Sequence, residues 1–468
     1  MQITFHGAAR TVTGTKHLIT TIKGTRFLLD CGMFQGMGQE SDELNRHFGF
    51  NPAEIDFLIL SHAHIDHSGL LPRLVKQGFR GPIFATPATI DLCSLMLIDS
   101  GNIQESDIEY INKRRSKRNQ APLQTLYTIA DAEKCLRLFE RVDYNSWFKI
   151  NDEVSFCFTD SGHVLGSGAI NMVITENGRQ TRICFTGDIG RPGDLILRKP
   201  QPFPQADIII CESTYGDRLH EPIADAELRL LDTVIRTCVK KKGKLIIPAF
   251  SLDRTQELVY ALDRMEYAGK LPPIKVFVDS PLSVKTTKIV EKHIECFNND
   301  LREYMKKGDQ QPFKFRNLHY ITDVQDSMAL NSYDEPCIII SSSGMAEAGR
   351  IKHHIKNNIL NPDNTILIVG YCSPGSLGGR LKSGAKRVHI FGEEYDVMAG
   401  VEVIDAYSAH ADYGEMIGYL KCQDVNQVQR MFLVHGEYDS MLFFKEQLEQ
   451  NGYRNIYCPE RGEHVVIE

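Results

Sequence analysis

The chain opens on short apolar runs separated by polar and glycine positions, the pattern of strands buried on at least one face. Gln2–His6, His17–Lys23, Thr25–Asp30 and Phe57–Ser61 read as four successive strands. From Thr86 to Arg141 the apolar period lengthens to that of a helix, with Ala132, Cys135, Leu136 and Phe139 on one face. Strands resume at Val154–Asp160, Ala169–Thr175 and Arg182–Thr186, and Asp207–Cys211 is a further buried one.

Beyond residue 215 the texture changes. Leu228, Leu231, Ile235 and Cys238 mark an amphipathic helix, Lys244–Pro248 a short strand, and Leu258, Leu262 and Met265 a second helix. The strand Lys275–Asp279, helical sequence to about Lys307, the strand Cys337–Ser341, another helix and the strand Thr365–Gly370 follow. That alternation predicts βαβ units on a parallel sheet. Val403–Ala406 and Arg430–Val434 return to the first style. The expected organisation is a first domain over residues 1–215, an inserted α/β domain over 216–400, and completion of the first domain by 401–468.

Length and composition fit this division. A chain of 468 residues exceeds one ordinary core. With 42% apolar and 24% charged residues it reads as a soluble globular protein. No apolar run approaches the ~18 residues of a membrane span. Met1–Gly7 runs directly into strand-like sequence, so no signal peptide is expected and a cytoplasmic location is. The 12 cysteines form no Cys-x-x-Cys pair, and Cys157, Cys184, Cys211 and Cys337 lie inside apolar strands, as free thiols in a reducing compartment do. A net charge of −7 gives no global attraction to nucleic acid. The most basic run, Lys113-Arg114-Arg115-Ser116-Lys117-Arg118, reads as a solvated helix face before it reads as a nucleic-acid contact.

The chemistry concentrates where a strand meets a helix. Ser61-His62-Ala63-His64-Ile65-Asp66-His67 follows the apolar Phe57-Leu58-Ile59-Leu60 and precedes a helical pattern. Imidazoles and a carboxylate at this density suit zinc or a similar divalent ion. His62 and His64 lie two apart, so in extended backbone they point the same way and can hold one ion. Asp66 and His67 fall after the bend and can be aimed at a second. Two ions need more donors than this heptad holds. His163, in the Gly-rich loop Asp160–Gly168, and Asp188, in Gly187-Asp188-Ile189-Gly190, supply another imidazole and a carboxylate able to bridge. Asp30 closes a buried strand, where a carboxylate either orients a ligand histidine or forms a turn beside Gly32. His410 and His435 each sit just past an apolar strand.

These positions resemble the metallo-β-lactamase fold, and within it the β-CASP nucleases, nearly end to end. The family's motifs match Asp30, then His62-His64-Asp66-His67, then His163, then Asp188. The three motifs special to β-CASP enzymes match Glu212, His410 in Ser408-Ala409-His410-Ala411-Asp412, and His435 in Val434-His435-Gly436-Glu437. Ile247-Pro248-Ala249-Phe250-Ser251, Asp279-Ser280-Pro281 and Ser342-Ser343-Gly344-Met345 resemble segments of the bacterial and archaeal ribonucleases related to the pre-mRNA 3′-end processing endonuclease. One departure stands out: Gly375-Ser376-Leu377-Gly378-Gly379-Arg380 displaces by one the arginine of the family's Gly-Thr-x-Gly-Arg.

The resemblance implies an α/β fold, a metallo-β-lactamase αββα sandwich with an inserted β-CASP domain. It implies two zinc ions per chain, His62, His64 and His163 holding one, Asp66, His67 and His435 the other, with Asp188 bridging. The same donors accept manganese. Asp66, Glu212 and His410 are the implied catalytic residues, His410 paired with Glu212 as proton donor to the leaving 3′-oxygen. The implied substrate is single-stranded RNA in a cleft between domains, cut to 5′-phosphate and 3′-hydroxyl ends. Ser343, Gly344, Ser376, Arg380 and Lys382 are the candidate phosphate contacts. A small-molecule hydrolase would not need the insertion or the Glu212–His410 pair. A DNA-directed relative usually carries a non-histidine at the position of His435, and a non-catalytic scaffold loses ligands that are all present here. The mode of cutting, and whether the chain forms a homodimer, stay open.

Overall fold

The structure, a computed structural model, describes residues 1–221, 223–307, 311–370 and 372–467. Its contacts divide it into a first unit of residues 1–192, 199–219 and 410–468 and a second of 193–198 and 220–409. The first unit is built on two seven-stranded sheets. One runs His464–Val466, Gln2–Gly7, Lys16–Thr20, Arg26–Leu29, Phe57–Ile59, Ile83–Ala85, Phe139–Arg141 in spatial order. It is antiparallel through its first four strands and parallel from Arg26–Leu29 onward. The other runs Ile456–Tyr457, Arg430–Val434, Ile208–Glu212, Arg179–Phe185, Gly168–Glu176, Val154–Asp160, Phe148–Lys149. Its first four strands are parallel and the rest antiparallel.

Side-chain alternation decides which residues meet between the sheets. Ile3, Phe5, Ile19, Phe27, Leu29 and Ile59 of the first are buried with Phe156, Phe158, Ile170, Phe185, Ile210 and Phe432 of the second in one core. The intervening Cys184, Ile209, Cys211, Met431 and Leu433 face outward and pack with Met416 and Leu420 of the helix Tyr413–Leu420 and with Met441, Phe444 and Leu448 of Tyr438–Gln450. Strands covered on both faces need near-continuous apolar sequence, and Ile208–Glu212 and Arg430–Val434 have it. The result is an αββα sandwich.

The second unit carries a six-stranded, wholly parallel sheet in the order Leu318–Ile321, Lys275–Asp279, Cys337–Ser341, Leu245–Pro248, Thr365–Val369, Gly400–Ile404. Ile339, Ile246, Ile366 and Ile368 are buried with Ile351 and Ile355 of the helix Ile351–Asn358 and with Leu377 and Leu381 of Leu377–Lys382. Gly400–Ile404 pairs with Thr365–Val369, so this unit runs to residue 409, past the boundary at 400 expected from texture.

Two helical expectations need correction. Leu228 is 64% exposed, while Ala226, Leu230, Val234 and Thr237 form the inner face of the helical stretch from Ile223. The phase is set by hydroxyls as well as leucines: Thr233 Oγ1 donates to Glu402 and Thr237 Oγ1 to Thr365. Phe139 does not continue the helix Ile129–Leu136 but opens the strand Phe139–Arg141, paired with Ile83–Ala85.

What the fold contributes to function is a row of strand ends. Asp30, His62, Asp188 and His435 all lie just past carboxyl ends of parallel strands, where open α/β sheets present their ligand sites. Asp30 and His435 adopt left-handed backbone, φ 60° and 52°, which turns each side chain sharply off its strand. The heptad is fixed from beneath: Thr15 N donates to Asp66 O, Cys31 N to His67 O and Met33 N to Ile65 O. Gly32 permits this approach, since a Cβ there would lie 1.6 Å from Asp66 O and 2.6 Å from His67 N. Gly32→Ala is therefore expected to cost about 2–3 kcal/mol and to weaken metal binding together with stability. Urea unfolding and chelator competition measure the two, and an unshifted urea midpoint would refute the tight approach.

Candidate metal centre

Ser61-His62-Ala63-His64 leaves its strand extended, and Ile65–Ser68 then makes one helical turn. His62 Nε2 lies 3.2 Å from His64 Nδ1, which lies 3.2 Å from His163 Nε2. A tetrahedral ion with bonds of about 2.0–2.1 Å to nitrogen holds its donors about 3.3–3.4 Å apart. The three nitrogens thus stand at the spacing such an ion needs. On the other side of the heptad, His67 Nε2 is 3.2 Å from His435 Nε2, and His435 Nε2 is 3.4 Å from Asp66 Oδ2. Asp188 Oδ2 stands between the sets, 3.5 Å from His62 Nε2, 3.4 Å from His163 Nε2 and 3.3 Å from His67 Nε2. Asp188 Oδ1 is buried without a hydrogen-bond partner, a position that costs free energy unless a cation meets it. The imidazole and carboxylate set suits a divalent metal.

Three of the imidazoles, His62, His67 and His435, are aimed through the other nitrogen. Asp30 Oδ2 accepts from His67 Nδ1 at 2.6 Å, which leaves Nε2 as the donor to metal. Ser61 Oγ donates to Asp30 Oδ2 at 2.6 Å and sits 3.0 Å from His62 Nδ1. Thr214 Oγ1 lies 2.9 Å from His435 Nδ1. Burial opposes charge on His62 and holds it well below the ordinary imidazole range. His67 goes the other way: burial disfavours its charge, but Asp188 and Asp30 raise its pKa well above that range. A metal entering there must displace a proton, so its affinity rises with pH.

His410 and Glu212 stand beside the donors. Glu212 is fully buried, and His410 Nδ1 is 3.2 Å from its Oε2. Glu212 also accepts from Ile189 N, while Ala411 N donates to Ile189 O at 2.8 Å. Residues 188–190 and 410–411 are thereby joined edge to edge. Gly190 makes room, because a Cβ there would meet Gly162 O at 1.7 Å. Asp66 and His410 keep 19% and 18% side-chain exposure, against at most 2% for His62, His67, His163, Asp188 and His435. Solvent therefore reaches the centre on the side of Asp66, His410 and the half-buried His64.

The phosphate-contact candidates of the second unit need revision. Ser343 N donates to Ala348 O, and Ser376 N to Ser373 O, so neither amide is available to a phosphate. Ser376 Oγ caps the helix Leu377–Lys382, and Lys382 Nζ is held 2.6 Å from Asp405. Gly378 N donates to Met345 O at 3.0 Å, which sets the start of the helix Leu377–Lys382, with Arg380, beside the loop that carries Gly344. Arg380 Nε is buried without a hydrogen-bond partner.

Several contributors escape sequence reasoning. Ser61 and Thr214 touch ligands only because separate strands bring them there. Lys16 is wholly buried, its ammonium bonded to Gly14 O and Gly32 O at 2.8 and 2.9 Å and 4.2 Å from the Phe34 ring centroid, and burial pulls its pKa down to about 8. Arg191 is buried against Glu415, whose carboxylate also accepts from Asp412 N at the start of Tyr413–Leu420.

Comparison with known proteins places this arrangement. The model of the metallo-β-lactamase superfamily matches residues 17–79, that of the Beta-Casp domain 255–381, and that of the Zn-dependent metallo-hydrolase RNA specificity domain 394–459. The sandwich and its donor cluster thus define a metallo-β-lactamase-fold hydrolase with an inserted domain. Over 469 residues the chain is 32% identical to ribonuclease TTHA0252 of Thermus thermophilus, covering 100% of both. It is 29% identical to the transcription termination factor FttA of Methanosarcina mazei, over 93% of this chain and 67% of that one. To the cleavage and polyadenylation specificity factor 73 of Drosophila melanogaster it is 30% identical, over 96% of this chain and 62% of that one. The chain belongs to the β-CASP family. Among the described residues no helix is long and apolar enough to cross a membrane.

Arg191→Met is expected to destabilise the first unit by about 2–3 kcal/mol, less than for a fully buried ion pair because Glu415 keeps 22% exposure. Thermal unfolding against Glu415→Gln in a double-mutant cycle measures it; strictly additive losses would show that the pair is not coupled.

Proposed function

We propose that this protein is a metal-dependent ribonuclease that hydrolyses phosphodiester bonds of single-stranded RNA and leaves 5′-phosphate and 3′-hydroxyl ends. The observation that carries the reading is two donor sets meeting at Asp188 Oδ2, with the Glu212–His410 pair on their accessible side. His62, His64 and His163 would hold one zinc ion, Asp66, His67 and His435 a second, and Asp188 would bridge them, manganese being compatible with the same donors. When bound, two such ions supply Lewis-acid charge for phosphoryl oxygens and a water acidic enough to attack near neutral pH. The names borne by the full-length relative and the eukaryotic one, a ribonuclease and a cleavage factor, support RNA as the substrate.

The chain's own residues then divide the work. Asp30, Ser61 and Thr214 fix the ring orientations before substrate arrives. Burial would raise the Asp66 carboxyl, but its hydrogen bond from His435 and the His67 charge hold it well below the usual range, so it stays ionised. Burial likewise disfavours the His410 imidazolium, and the Glu212 carboxylate more than offsets this, so its pKa is pushed up to about 9. His410 therefore enters the reaction protonated, with Nδ1 held by Glu212 and Nε2 as the proton donor to the departing 3′-oxygen. In the second unit, Arg380 and the Gly344 amide remain as phosphate contacts.

Cleavage of a 5′-labelled single-stranded RNA beside the same DNA sequence, by zinc-loaded wild type and Asp188→Ala, tests the reading. RNA cut into 3′-hydroxyl fragments by wild type alone is expected; no cleavage of either polymer despite bound metal would overturn it. Internal fragments would assign an endonuclease, single nucleotides an exonuclease.

A proton donor is active below its pKa, so kcat should fall as pH rises through the His410 value, about 9 for the protein alone and lower where bound dications would oppose its charge. His410→Ala should remove that limb and lower kcat on RNA about 10²–10⁴-fold. A p-nitrophenyl phosphodiester, whose leaving group needs no proton, should lose far less. Equal losses on the two substrates would refute the acid role.

A further inference from the structure

One part of the first unit has no role in the reading above. The helix Pro87–Ser116 is 30 residues long, yet its buried residues, Ala88, Thr89, Leu92, Cys93, Leu97 and Gly101, all lie in its first half. From Asn102 to Thr125 no residue is buried. Helical stability in proteins comes mostly from packing of an apolar face, and this stretch has none. It is nonetheless organised: beyond Ser116 the chain turns through Asn119, φ 53°, and runs back along the helix. Asn112 bonds Leu123 through both N and O, at 2.8 and 2.9 Å, and Arg115 Nε donates to Ala121 O at 2.7 Å. The segment is an ordered arm.

Its tip carries the most basic run in a chain of net charge −7. Lys113 pairs with Glu109 at the surface, both about 70% exposed, and among the described residues no carboxylate pairs with Arg114, Lys117 or Arg118. A helix C-terminus attracts cations, but with a field equivalent to about half an elementary charge. That accounts for one or two of these residues, not five. On the same side of the helix, one turn earlier, Tyr110 is 64% exposed and 5.9 Å from the Arg114 guanidinium. Cations beside an exposed aromatic ring match a single-stranded nucleic acid, phosphates taking the charges and a base the ring. A protein partner would want a broad apolar centre, and the exposed apolar residues here, Ile103, Tyr110, Ile111 and Leu123, are scattered among charges.

The arm is rooted at the metal centre. Thr86 and Thr89, at its start, donate through Oγ1 to Gly166 O at 2.6 and 2.9 Å, in the loop that presents His163. From that root about 28 residues at about 1.5 Å each set the basic tip about 40 Å out. At about 3.4 Å per stacked nucleotide this spans on the order of a dozen nucleotides.

We propose that the arm over residues 102–125 is a second RNA-binding site, in which Lys113, Arg114, Lys117, Arg118 and Tyr110 hold the substrate strand about a dozen nucleotides from the bond being cut. The proposal rests on RNA being the substrate. It makes the enzyme select for length: long RNAs engage centre and arm together, short ones the centre alone.

The test is the quadruple variant K113Q/R114Q/K117Q/R118Q, which keeps Arg115 for its bond to Ala121. With zinc-loaded protein, kcat and KM are measured on an unstructured RNA of about 40 nucleotides and one of about six, from 50 to 200 mM salt, beside anisotropy of the long RNA. Four lost contacts should flatten the salt dependence of kcat/KM on the long RNA by a slope of about 3. Its KM should rise at least about tenfold with kcat retained, and the short RNA should be unaffected. Tyr110→Ala should raise KM for the long RNA alone. Unchanged KM and salt slope on the long RNA would overturn the proposal. So would a variant whose sole change is dissociation of a dimer in sedimentation, which would assign the arm to a second copy of the chain. Wild type that binds the long RNA through these cations but cuts neither RNA would defeat the ribonuclease reading and leave the arm standing.

Discussion

Asp188 Oδ2 lies within 3.5 Å of ring nitrogens from His62, His67 and His163, three side chains from two segments of the chain. So many imidazoles around one carboxylate, nearly all shielded from water, is an electrostatic arrangement that protons satisfy poorly. Burial pushes His62 and His64 toward neutrality, while Asp188 and Asp30 hold His67 charged. Divalent cations resolve the conflict, because each accepts several neutral nitrogens and offsets a carboxylate at once. The rest of the first unit can be understood as what keeps these donors together against their own preference for water.

The sandwich does so by placing strand ends rather than by building a rigid loop. Parallel strands from both sheets finish at one edge, and each hands a donor to the centre within a residue or two of its last ladder bond. Immediately beneath, Phe27, Ile59, Phe185, Phe432 and Val434 lie in the core between the sheets. Interiors packed to crystal-like density transmit displacement poorly into slack, so donor positions inherit the precision of the core. The left-handed turns at Asp30 and His435 are stable for the same reason: the ladders on either side over-determine them.

How much of this was legible beforehand follows from range. Five-residue strands with a continuous apolar centre, such as Cys337–Ser341 and Lys275–Asp279, announce themselves by composition. Two- and three-residue strands such as Phe148–Lys149 and His464–Val466 do not, because pairing rather than propensity makes them strands. The metal donors stood out because donor types crowd within a heptad and recur after strands, and the motif resemblance supplied Glu212, His410 and His435. Thr214, Ser61 and Arg191 did not, since a hydroxyl or guanidinium that steadies a ligand differs from any other until the fold names its partner. The helix from Ile223 shows the same limit on a smaller scale: Thr233 and Thr237 helped set its phase, and counting leucines turned it by one residue.

The inserted unit raises a question of connectivity that the geometry answers. A little over half the chain separates Asp188 from His435, and a flexible loop of that length would close at an entropic cost that grows with its logarithm. A folded insertion with its own parallel sheet and core removes that cost from the metal centre, because its order is maintained internally. The point of return is His410, the first residue of the sandwich after the insertion. It is held by the bond from Ala411 N to Ile189 O and by the buried Glu212 carboxylate. His410 and Asp188 are therefore registered against each other by residues of the sandwich.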